Sequence, residues 1–180
     1  DLAQRLAAPL LGRVPFVTEL REGGDSGRPI MLTDPEGEAA AAEGTYYKSR
    51  IGSITSVDDL LADQRLFDYA LKAYGIDPNL ASVSAIRNVL TSDLSDPGSV
   101  ANTYGGAYQD LAAAFSFETD GSVAAGGNAQ TSLQTGETML AYYEATGTDE
   151  SPAAAAFKTA YFNELMASIT TVDDLVNNHF

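Results

Sequence analysis

Two pairs of adjacent carboxylates, Asp58-Asp59 and Asp173-Asp174, and the lone histidine, His179, are the side chains of this 180-residue sequence that invite a chemical reading. Paired carboxylates can bind a hard cation or exchange a proton. Such a cation usually gathers six or more oxygens, and neither pair lies in the spacing of a calcium loop. His179 has no cysteine or second histidine to complete a transition-metal set, and a serine relay would need that histidine held in order. Position explains both pairs better. Each follows a hydroxyl residue, in Ser56-Val57-Asp58-Asp59 and Thr171-Val172-Asp173-Asp174. That is a helix N-cap with an acidic residue three places on, and acids are favoured at the positive end of a helix. Ser56, Asp58, Asp59, Thr171, Asp173 and Asp174 therefore read as capping motifs. No residue is expected to be catalytic, to bind a metal or to hold a cofactor.

The elements that carry these caps are repeated. Tyr46-Tyr47-Lys48-Ser49-Arg50-Ile51-Gly52-Ser53-Ile54-Thr55-Ser56-Val57-Asp58-Asp59-Leu60-Leu61 returns at an offset of 115 residues. The second copy is Tyr161-Phe162-Asn163-Glu164-Leu165-Met166-Ala167-Ser168-Ile169-Thr170-Thr171-Val172-Asp173-Asp174-Leu175-Val176. A repeat of this length implies two related structural units, starting near residues 46 and 161. The second is expected to be truncated at Phe180. Extending the chain past that residue should stabilise it. The first residue is Asp1 rather than Met, so the chain is also expected to begin inside a longer one.

Ten basic against 25 acidic residues leave a net charge of −15. No basic footprint for a phosphate backbone is visible, so nucleic acid is excluded as a partner. An anionic membrane surface is disfavoured for the same reason. No apolar run approaches the ~20 residues that cross a bilayer, so no membrane insertion is expected. With no cysteine there is no disulfide framework and no thiolate nucleophile. A hydrophobic fraction of 44% is enough for a core.

From Thr45 onward the pattern is helical, and the expected fold class is mainly α: a helical bundle over residues 45–180 with an internal helix-start repeat. Leu60, Leu61, Phe67, Ala70, Leu71 and Tyr74 form an apolar stripe at helical spacing. Gly75 stops that helix, with Pro78 beyond. A second helix, Ser82 to Thr91, should bury Val83, Ile86, Val89 and Leu90. Asp96-Pro97 reads as a third start, with Val100, Tyr104, Tyr108, Leu111, Ala114 and Phe115 as its apolar face. Arg65, Asp68 and Lys72 share a helix face as a charge ladder. Residues 118–136, rich in Gly, Ser, Thr and Asn, read as a flexible loop or linker. Neither Gly105-Gly106 nor Gly126-Gly127 has the strand before and lysine after that make a phosphate loop. Helices resume at Glu137 to Thr146, Pro152 to Ala167 and from Val172.

Residues 1–43 differ, reading as a short α/β-type remnant. Pro9-Leu10-Leu11-Gly12-Arg13-Val14-Pro15 fits a short buried strand. Gly23-Gly24-Asp25-Ser26-Gly27-Arg28-Pro29 fits a loop, and Asp34-Pro35 a helix start at Glu36 to Glu43. With Phe16, Leu20-Arg21-Glu22 and Ile30, these motifs resemble the C-terminal end of the Mrp-type ATP-binding iron–sulfur carriers. The resemblance implies that Val14, Pro15 and Phe16 flank a nucleotide base. That family's phosphate loop and cluster cysteines, which lie upstream, are not in this sequence, so the segment alone is not expected to bind or hydrolyse ATP.

Over residues 45–180 the sequence resembles the domain-of-unknown-function 1217 family, helical proteins of alphaproteobacteria whose genes often lie among flagellar genes. The motifs are Ser56 to Gly75, Ile86-Arg87-Asn88-Val89-Leu90, Asp96-Pro97-Gly98-Ser99-Val100-Ala101-Asn102 and Ala112-Ala113-Ala114-Phe115-Ser116-Phe117. The resemblance implies a non-enzymatic module, bacterial, cytoplasmic or flagellum-associated, with protein partners such as flagellar components. The alternative is the tail of an Mrp-type carrier with a helical extension.

Overall fold

The computed structural model describes residues 34–168. The chain divides into two units, Asp1–Asp34 and Pro35–Phe180. Val14, Pro15 and Phe16 in the first, and Thr171, Asp173, Asp174 and His179 in the second, lie outside the described residues. Those that are described form eight helices and no sheet.

Helix α1, Pro35–Ile51, runs unbroken across the boundary that the sequence places between Glu43 and Thr45. Its first turn carries Glu36 and Glu38 and its last Lys48 and Arg50, the order that suits the helix dipole. Nothing in Ala39 to Thr45 stops it, because Gly44 costs only about 1 kcal/mol against alanine inside a helix. The helical unit therefore starts at Pro35, ten residues before the change of pattern at Thr45. Gly37, Ala40, Gly44, Tyr47 and Ile51 make its buried stripe.

Helix α2, Val57–Ala62, is capped by Ser56, whose Oγ accepts from the Asp59 amide. The Asp59 carboxylate turns back over the cap, its Oδ2 accepting from the amide and hydroxyl of Thr55 at 3.0 and 2.7 Å. Helix α3, Gln64–Ala73, is capped by Asp63, whose Oδ1 accepts from the Leu66 amide at 3.1 Å. It stops at Gly75, φ 70°, where the amide of Ile76 turns back to the Leu71 carbonyl at 2.9 Å. Leu66, Phe67, Tyr69, Ala70, Leu71 and Ala73 are all buried.

Helix α4, Val83–Leu90, buries Ile86, Val89 and Leu90, but Val83 is exposed. The third start lies later than Asp96-Pro97. Asp96 closes a turn onto the Gly98 amide, and Ser99 is the cap of α5, Val100–Tyr104. Gly105, φ 63°, then breaks the expected single helix, and α6 runs Gly106–Ala113. The break turns Tyr104 out to solvent.

Residues 118–136 are not a linker. The loop carries backbone hydrogen bonds from Val57 N–H to the Gly121 carbonyl, 2.8 Å, and from Val123 N–H to the Thr55 carbonyl, 3.1 Å. One of the orphan amides of α2 is thus satisfied by the loop. Ala129 and Gln130 are buried, and residues 132–136 already form the first turns of α7, Ser132–Ala145. That helix has a complete capping box between Thr131 and Gln134. Its polar composition hid the helix start because Ser, Thr and Gln are cap formers as well as loop formers. Helix α8, Pro152–Ser168, follows. The most extensive pairing is α3 on α7, with α1 against α3, α7 and α8.

Candidate functional site: a tyrosine-lined junction and its cavity

Three helices meet through aromatic rings. Tyr69 of α3 is sandwiched between Tyr47 of α1, 4.5 Å between centroids, and Tyr142 of α7, 3.9 Å. All three rings are buried. Burial pushes the Tyr47 and Tyr69 phenols above their ordinary range, because a phenolate there would be stripped of water.

Gln130, carried into the core by the loop, joins this junction. Its Oε1 accepts from the Tyr47 hydroxyl at 2.9 Å, and its Nε2 donates to the Ala114 carbonyl and the Thr138 hydroxyl, both 2.9 Å. Thr138 in turn meets the Tyr74 hydroxyl at 3.0 Å. These groups hold one another, as buried polar groups must. The Tyr69 hydroxyl differs: buried, it has no hydrogen-bond partner among the described residues.

Beside the junction lies a cavity of about 170 Å³ between α1, α7 and α8, lined by Ile51, Gln130, Thr135, Met139, Phe157 and Tyr161 among others. Lys48 and Glu164 face each other across its lining at 3.2 Å. The Tyr161 ring lies over Gly136, and its hydroxyl donates to the Leu133 carbonyl at 3.2 Å. Burial pushes the Tyr161 phenol up to about 12. The charged residues of the lining are the paired Lys48 and Glu164.

The carboxylates singled out in the sequence lie apart from this cavity. Asp58 pairs with Arg87 of α4, whose guanidinium holds it below the usual carboxylate range. Hydrogen bonds from Thr55 and Ser56 hold Asp59 low. The two acids point to different partners, so they do not share a ligand. Among the described residues no three His, Cys, Asp or Glu side chains converge to hold a metal. The charge ladder on α3 is not formed either. Arg65 forks onto Glu43 of α1 at 2.8 and 3.2 Å and lies 4.0 Å over the Tyr46 ring, while Asp68 accepts from Gln64. Glu43 offers both carboxylate oxygens to the planar guanidinium, a better fit than a helical neighbour.

Sequence reasoning missed Gln130 and Gly136. Both lie in the segment read as a flexible loop or linker, and the signal that could have found them is the Thr131 to Gln134 capping box.

What these features define, over the described residues, is an all-α protein in which buried hydrogen bonds of Gln130 and Thr138 join one helix to another. The chain belongs to the family described as protein of unknown function (DUF1217), which matches residues 73–172. It is similar to a crystal structure of a protein from Agrobacterium tumefaciens, at 29% identity and a TM-score of 0.50, covering 85% of this chain and 69% of that one. It is also 42% identical over 53 residues to an iron–sulfur cluster carrier protein of Synechocystis. That match takes in 29% of this chain and only 15% of the carrier. Among the described residues no helix is long and apolar enough to cross a membrane.

Proposed function

We propose that the chain is a non-enzymatic helical module that acts by binding other proteins, in the setting of the bacterial flagellum. The observation that carries the reading is a pair of large apolar side chains held out in solvent. Leu80 is 85% exposed and Val83 54%, at the entrance to α4. The turn that presents Leu80 is fixed by Asp77, whose carbonyl accepts from the amides of Leu80 and Ala81 at 3.1 Å. Its carboxylate accepts from the Asn79 amide at 2.9 Å. Apolar groups displayed on a hydrogen-bonded turn suit contact with a partner. Acidic charge elsewhere keeps the chain from associating at random. The flagellar setting rests on the family resemblance.

The test is genetic and biochemical. Deleting the gene should impair swimming, and the tagged chain should co-purify with hook–basal bodies. Normal motility together with absence from that fraction would refute the reading.

A second reading, the tail of an ATP-binding iron–sulfur carrier with a helical extension, is favoured by the match to the Synechocystis protein. Calorimetry of the chain with magnesium and ATP separates the two. Saturable micromolar binding would favour the carrier reading.

A further inference from the structure

The cavity between α1, α7 and α8 has a buried floor and an exposed rim. Ile51, Gln130, Thr135 and Met139 form the floor, all of them buried. Phe157 and Tyr161, half-buried, make an aromatic wall, their rings nearly parallel and 5.9 Å apart. Lys48 and Glu164 stand at the rim, and a neighbouring hollow shares both of them with the cavity. Their side chains are 58% and 56% exposed. Exposed ion pairs are held weakly, so this one can part to admit a ligand.

The polar groups decide what fits. Gln130 spends both amide hydrogens on Ala114 and Thr138, and its oxygen already accepts from Tyr47. The Thr135 hydroxyl gives its hydrogen to the Thr131 carbonyl at 2.9 Å and keeps lone pairs to accept another. Tyr161 spends its own hydrogen on Leu133. The side-chain groups of floor and wall can therefore accept a hydrogen bond but have none left to donate. A carboxylate would find no donor there, and a cation no free carboxylate, since Glu164 is held by Lys48. Burying either charge without a partner is costly. Size sets the other limit. A cavity of about 150 Å³ holds one benzene ring, and this one has about 170 Å³. Its aromatic wall and the Met139 sulfur suit a flat ring. A ring without a donor would cover the Thr135 oxygen and leave it nothing in place of water.

We propose that this cavity binds a small neutral molecule of the phenol class, a single aromatic ring bearing one hydrogen-bond donor. The ring lies against Met139, Phe157 and Tyr161, and its O–H donates to the Thr135 hydroxyl oxygen. This goes beyond the protein-binding reading and does not rest on it. It is tested on purified protein, so it can fail while co-purification with basal bodies stands, and the reverse.

The probe is phenol, titrated into the full chain with isotope-labelled methionine methyl groups and followed by NMR. Met139 lines the cavity, whereas Met166 is 40% exposed on the far side of α8 from the core. The Met139 signal, assigned with Met139→Leu, should shift and saturate with a Kd of about 1 mM or tighter, while that of Met166 stays. Toluene has the same shape without the donor and is the more hydrophobic, so a merely apolar cavity would prefer it. Here phenol should bind about three- to tenfold more tightly, and Thr135→Val should erase the preference. A Met139 signal that phenol leaves in place overturns the proposal, because a cavity that holds water alone gives that result. An equal shift of Met166, the mark of adhesion to the surface, overturns it too, as does toluene binding as tightly as phenol. These readings come from the unaltered chain and stand even where Thr135→Val fails to fold. A preference for phenol that survives in folded Thr135→Val would overturn the acceptor assigned.

Discussion

The ring of Tyr161 rests directly on Gly136. A Cβ at that glycine would stand 2.5 Å from Cζ and 2.6 Å from Cδ2, inside any allowed contact. The absence of a side chain on α7 is what lets the first aromatic of the second repeat copy pack there. Tyr161 also stacks with Phe157, 5.9 Å between centroids, so the ring has little room to swing away.

Gly136→Ala should therefore destabilise the protein by about 1–3 kcal/mol, the usual range for overpacking. It should do so although alanine is the better helix former. The urea midpoint reads this directly. A midpoint that rises would mean the ring can move aside and that helix propensity dominates.

Tyr69→Phe should leave stability unchanged or raise it, by up to about 1 kcal/mol. The hydroxyl is buried without a partner, so its removal relieves a desolvation penalty while both ring stacks remain. Tyr47→Phe is the contrast, because it strips Gln130 of a 2.9 Å hydrogen bond and should destabilise by about 1–3 kcal/mol. Equal losses from the two substitutions would contradict this difference.

Ser56→Ala should cost about 1 kcal/mol by removing the cap that holds the Asp59 amide. The loop bond from Val57 N–H to Gly121 stays, so the loss should not exceed the range of a single cap. An unchanged melting temperature would show that the hydroxyl is not needed there.

Stability should fall on both sides of neutral pH for different groups. Asp58, Asp59 and Asp93 have carboxyls held below the usual range by Arg87, by Thr55 and by Ser95. Groups depressed in the fold contribute stability above the unfolded value of about 4, and it fades as pH drops through the folded values. Tyr161 is raised, so its contribution is complete below the unfolded phenol value of about 10 and fades as pH rises towards about 12. Urea midpoints against pH, with phenolate absorbance on the alkaline limb, check both. Free ionisation of all tyrosines near pH 10 without unfolding would rule out the buried stack.

Local signals in the sequence decided much of this protein. Ser56 two residues before an acidic pair, Gly75 after a stripe of leucines and aromatics, and Pro35 before an alanine run each specify a helix end by short-range hydrogen bonding or dihedral preference. Such effects act within one turn of chain, so they are legible without a fold. The helical class follows from their sum with the apolar spacing, and the repeat is plain from the letters alone.

Tertiary structure decided the rest. Arg65 left its own helix for Glu43 because another helix brought a forked acceptor closer. Gln130 became a core residue only once the loop was tied to Thr55 and Val57, which lie more than sixty residues earlier in the chain. Gly136 matters solely through a ring on the neighbouring helix. Above all, Tyr47 and Ile51 are buried while their repeat counterparts on α8, Phe162 and Met166, are exposed, although all four are large and apolar. Burial depends on what stands opposite, and that is a property of packing between elements that the one-dimensional pattern does not carry.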